Sequence, residues 1–146
     1  MGKIDPQVAA KVWQRVRGNE KPMETVSVQT MVAWEKETEA VLLWLSKRLP
    51  EKGYALQQII ADTRRHIACL QGIRRINGEK PGAYAAGKPM SGEPGPWLRK
   101  CYGQCLRVGG QYASRAEDEQ YGCVFAEMAR TKRRHCSLIL EVLGGI

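Results

Sequence analysis

The feature that most restricts how this chain can fold is an internal repeat. Thr63-Arg64-Arg65-His66 returns as Lys132-Arg133-Arg134-His135, every position displaced by 69 (132 − 63 and 135 − 66). The displacement carries apolar residues with it: Leu56 falls on Phe125, Ile59 on Met128, Leu70 on Ile139 and Ile73 on Val142. Upstream, Trp34, Glu37 and Trp44 fall on Tyr102, Cys105 and Tyr112 at a displacement of 68 (102 − 34). Apolar residues spaced by three and four mark helix faces. The chain therefore reads as two helical hairpins related by an approximate two-fold, with polar residues set into the buried stripe at matching depths.

The connections support that arrangement. A helix from about Ser27 to Leu49 is stopped by Pro50, and Met31, Trp34, Thr38, Val41, Leu45 and Leu49 form its inner stripe. Only Glu51, Lys52 and Gly53 separate it from a second helix, about Tyr54 to Ile76, so the two must be antiparallel neighbours. Residues 78–96 are punctuated by glycine and proline. Extended at roughly 3.3 Å per residue, such a segment can run back along a helix of about 23 residues, on the order of 35 Å. A third helix follows with Trp97, Leu98, Cys101, Cys105, Val108 and Tyr112 inward. The acidic corner Glu117-Asp118-Glu119 opens a fourth, which carries Val124, Phe125, Met128, Lys132, His135 and Ile139 to about Leu143. Before the bundle, Asp5-Pro6 starts a short amphipathic helix of Val8, Ala9, Val12, Trp13 and Val16 that Gly18 and Asn19 end. Residues 1–22 are thus an N-terminal helical extension and residues 23–146 an all-α four-helix bundle domain.

At 146 residues the chain can bury a core without disulfides or metal. The five cysteines, Cys69, Cys101, Cys105, Cys123 and Cys136, are odd in number and lack paired short spacing, which argues against a disulfide framework and a Cys-x-x-Cys metal site. No apolar run reaches the ~20 residues of a membrane span, and the N-terminus has no apolar signal core; Pro6 stands where a myristoylation motif wants Ser or Thr. A cytoplasmic protein is expected. Lys and Arg outnumber Asp and Glu by 23 to 15, but the net charge of +8 is spread over several helices, so solubility explains it better than nucleic-acid binding.

The pattern resembles the rubrerythrin-like branch of the ferritin-like superfamily. The resemblance runs over nearly the whole chain, including Val12-Trp13-Gln14-Arg15-Val16, the stretch from Gly72-Ile73-Arg74 to Gly78-Glu79, and Tyr121-Gly122-Cys123-Val124-Phe125. It implies a ferritin-like bundle and a di-iron site to which the first and third helices each give a Glu and the second and fourth each a Glu-x-x-His pair. Carried over by the repeat, the six ligand positions are Glu37, Thr63, His66, Cys105, Lys132 and His135. Only Glu37, His66 and His135 keep the family's ligand types. Thr63 and Lys132 replace the two bridging carboxylates, and a protonated ammonium repels divalent metal. The oxygen or peroxide chemistry the resemblance would imply is expected to be lost, and no catalytic residue is assigned.

A charge in a buried stripe needs a partner, and the expected partner of Lys132 is Glu37. The expected role is then structural, interaction or regulatory, without cofactor. The alternative is a metal-binding or redox protein, handling iron or peroxide, with one rebuilt zinc or iron site of Glu37, His66, Cys105 and His135. Cys105 as a reactive thiol ranks below a buried inert one. An anion or nucleic-acid surface built from Arg64, Arg65, Arg130, Arg133 and Arg134 ranks third, because arginines beside an inward residue normally face water and no aromatic platform accompanies them. Trp34, Trp44, Tyr102 and Tyr112 read as core aromatics. A homodimer is compatible with the pattern, since related bundles pair and Trp13 needs cover; a membrane partner is not expected.

Overall fold

The computed structural model describes residues 25–80, 82, 84 and 87–146. The expected helix around Trp13, and the boundary placed at residue 22, lie outside the described residues. Four helices follow one another: α1 (Val28–Arg48), α2 (Gly53–Ile76), α3 (Pro94–Ser114) and α4 (Gly122–Gly144), with a single 3₁₀ turn at Pro50–Lys52. No strand occurs among the described residues, and no helix in them is long and apolar enough to cross a membrane.

Local chemistry accounts for the boundaries. Ser27 caps α1, its hydroxyl accepting from the Thr30 N–H at 3.1 Å, while Lys47 and Arg48 sit on the negative end of the helix dipole. Pro50 has no N–H to continue α1 and instead begins the tight turn into α2. At the far end of α2 the chain leaves through Gly78, whose φ of 76° suits a residue without a Cβ. Arg74 braces that exit by donating to Glu79 Oε2 at 3.1 Å and to the Lys80 carbonyl at 2.6 Å. Helix α3 begins at Pro94, three residues before the expected start at Trp97, because prolines are well tolerated in a first helical turn.

The segment between α2 and α3 runs the length of α1. Its backbone at Gly82 lies against the side chain of Gln29 near the start of α1, Lys36 sits 5.5 Å from the Tyr84 ring centre, and Arg48 at the end of α1 donates to the Gly92 carbonyl at 3.0 Å. Trp44 of α1 then meets Trp97 of α3 at 5.9 Å between ring centres. Helices α2 and α3 thus both start beside the C-terminal end of α1 and run antiparallel to it, giving two antiparallel hairpins joined by a long crossover. Contacts run α1–α2, α3–α4, α1–α3 and, most sparsely, α2–α4.

The core is divided in two. Leu42, Leu45, Leu56, Ile59, Leu98, Ile139 and Val142 pack at one end, and Met31, Val32, Leu70, Ile73, Val108, Phe125 and Met128 at the other. Each apolar pair of the 69-residue displacement is buried, and its members lie in opposite clusters, as an antiparallel two-fold between α2 and α4 requires. Between the clusters lies a layer of buried polar side chains.

Candidate functional site

The polar layer is built around Glu35, fully buried on α1. Lys132 of α4, 1% exposed, places Nζ 2.5 Å from Glu35 Oε1. The other carboxylate oxygen accepts from the Tyr112 hydroxyl of α3 at 3.0 Å and from His66 Nδ1 of α2 at 3.1 Å. One carboxylate therefore ties all four helices together. An ionised carboxylate only accepts, so the proton on His66 lies on Nδ1. Burial alone would raise the Glu35 pKa, but the Lys132 charge and the His66 hydrogen bond outweigh it and hold the group below its ordinary value. Burial, then the Glu35 charge, pushes the Tyr112 phenol upward, so it remains a donor.

The stem of Lys132 reaches this position because Gly109 faces it. A Cβ on Gly109 would stand 3.1 Å from the Lys132 Cβ, closer than ordinary carbon contact. The ammonium makes no further hydrogen bond within the described residues, which leaves Glu35 as its electrostatic support.

A second centre adjoins the first. His135 of α4 shares a 2.9 Å contact with Asp62 of α2 through Nε2 and Oδ2, and its ring stacks on His66 with 6.1 Å between centres. Asp62 is also paired with Arg65 and lies 3.8 Å from Arg134. Burial lowers the His135 pKa, although the neighbouring Cys105 opposes the shift, and His135 Nδ1 has no hydrogen-bond partner among the described residues. Cys105, His135 and Asp62 follow one another in the order of a thiol triad. That chemistry is unavailable here: Cys105 is 1% exposed, and the hydrogen bond to Cys136, followed by burial, drives its thiol far above the ordinary value. The neighbouring Cys101 is pushed up to about 12, chiefly by burial. Both thiols stay protonated and serve as packing.

The expected pairing of Lys132 with Glu37 requires correction, because Glu35 holds that place. Glu37 is exposed and accepts from Gln104 Nε2 at 3.3 Å. Two residues along a helix turn a side chain by about 200°, so Glu35 and Glu37 cannot both face the core. Thr63 is buried but stays out of the cluster, its hydroxyl donating at 2.7 Å to the Ile59 carbonyl of its own helix. Of the proposed single-metal set, His66, Cys105 and His135 lie in or beside the cluster and Glu37 lies outside. Among the described residues no three His, Cys, Asp or Glu side chains converge to hold a metal ion. At the centre of the layer the Glu35 carboxylate is occupied by the Lys132 ammonium.

Glu35, Asp62, Gly109 and the hydrogen-bonding role of Tyr112 escaped the sequence analysis. A signal for Glu35 exists: Met31, Glu35, Thr38, Leu42, Leu45 and Leu49 alternate steps of four and three without a break. The five arginines around the repeat are all exposed, as expected. No family model, no curated protein and no solved structure matches the chain.

Proposed function

We propose that this chain is a ferritin-like bundle of the rubrerythrin-like type whose di-iron chemistry has been given up. A side-chain ion pair takes the electrostatic place of metal at its centre, and the role is structural, interaction or regulatory. The observation that carries the reading is the Lys132–Glu35 contact of 2.5 Å in the polar layer between the two apolar clusters. A fixed ammonium supplies the positive charge that buried Glu35 needs, and does so permanently. Divalent metal would have to displace it against direct repulsion. A homodimer and a cytoplasmic location belong to the same proposal.

Iron loading tests it. Full-length protein incubated with excess ferrous iron without oxygen, exchanged into iron-free buffer and analysed for metal is expected to hold well under two irons per chain. On exposure to air it should show no oxo-bridged di-iron absorbance. Uptake of two irons per chain overturns the proposal, and uptake of one zinc or iron per chain supports the mononuclear alternative instead.

A further inference from the structure

Helices α2 and α4 touch least of the neighbouring pairs, and between them opens a groove of about 460 Å³, within the size of small-molecule sites. Its two ends differ in chemistry. At one end stand Arg65 and Arg134, with the carboxylate of Asp62 between them. That single carboxylate also serves His135 at 2.9 Å, so two guanidiniums share one anion already engaged elsewhere. Arg134, 3.8 Å from Asp62, lies beyond hydrogen-bond length. Among the described residues its guanidinium donates no hydrogen bond. At the other end the lining includes Met128 and Val124, the latter 39% exposed. Glu127, also in the lining, is paired with Arg130 at 2.5 Å.

In the second opening, of about 310 Å³ beside Tyr84, both cations are already engaged. Its Arg64 is bound to Glu39 at 3.2 Å, and its Lys36 lies over the Tyr84 ring.

We infer that the groove between α2 and α4 binds a small amphiphilic anion, a short-chain carboxylate whose head group lies on Arg65 and Arg134 and whose apolar chain lies along Val124. Charge complementarity selects the head, and the exposed Val124 side chain selects the chain. The inference does not depend on what occupies the bundle centre.

Octanoate is the probe. Titrated into the full-length protein and followed by NMR at the His66 ring, which forms part of the inner wall, it should saturate. Its Kd should be at least tenfold tighter than for acetate, which lacks the chain, and for octylammonium, which reverses the charge. Arg134→Gln and Arg65→Gln, at side chains 64% and 71% exposed, should each weaken binding fivefold or more, and Val124→Asp should weaken it by setting a hydrated carboxylate against the apolar chain. Failure of octanoate to saturate overturns the inference, as does equal binding of octylammonium or binding unchanged in Arg134→Gln. If a variant fails to fold, the comparison of three probes on the parent protein still decides.

Discussion

Removing one side of the central ion pair should cost far more than removing both. Glu35→Gln leaves the Lys132 ammonium buried without an anion, and should cost the ~3–5 kcal/mol typical of a broken buried pair. Lys132→Met should cost somewhat less. Glu35 would keep its hydrogen bonds from Tyr112 and His66. The double variant Glu35→Gln with Lys132→Met should recover most of the loss, because two neutral side chains of similar volume need no compensation. Urea denaturation of the four proteins gives the coupling energy directly, and at least ~2 kcal/mol is expected. Glu37→Gln, at an exposed position, should stay within about 0.5 kcal/mol of the parent. Additive single effects, or a Glu37→Gln penalty as large as that of Glu35→Gln, would refute the pairing.

Three other outcomes follow from the same layer. His135 has a lowered pKa in the fold, so the unfolded chain takes up its proton first; stability should fall as pH drops below the ordinary value of 6.5, and this part should vanish in His135→Gln. Glu35, also lowered, adds a further loss as pH falls below 4.5, readable in the same series of urea midpoints. Gly109→Ala and Gly103→Ala should differ in sign when measured by thermal or urea unfolding. The first forces a Cβ to 3.1 Å from Lys132 and overpacks at ~1–3 kcal/mol, whereas the second meets nothing within 4 Å and gains the ~0.4–1 kcal/mol of replacing a helical glycine.

Much of the bundle was legible along the chain because helices announce themselves locally. Pro50, the Gly/Pro-rich stretch and Asn77-Gly78 are backbone signals that act within a few residues, and they marked the connections correctly. The displacement of 69 placed α2 against α4 in the right register, since four apolar pairs move together under it. The displacement of 68 failed on α1. It was anchored on Trp34 with Tyr102 and Trp44 with Tyr112, and large aromatics can lie half-exposed on the flank of a helix, as Trp34, Trp44 and Tyr102 do. The buried stripes of α1 and α3 follow a displacement of 70 instead, with Met31 on Cys101, Glu35 on Cys105, Thr38 on Val108 and Leu42 on Tyr112. Two residues of error exchanged an inner glutamate for an outer one.

The sequence by itself determined that four amphipathic helices form, where each turns, and that a lysine and two histidines fall on inward stripes of α2 and α4. It could do so because helical periodicity and turn chemistry are properties of neighbouring residues. Only the tertiary structure decided which carboxylate meets Lys132, that Asp62 answers His135, and that Tyr112 spends its hydroxyl on Glu35. Those choices depend on the rotation of each helix about its axis, which is set jointly by the packing of all four. A rotation of about 100° per residue is invisible to composition and decisive for which atoms touch.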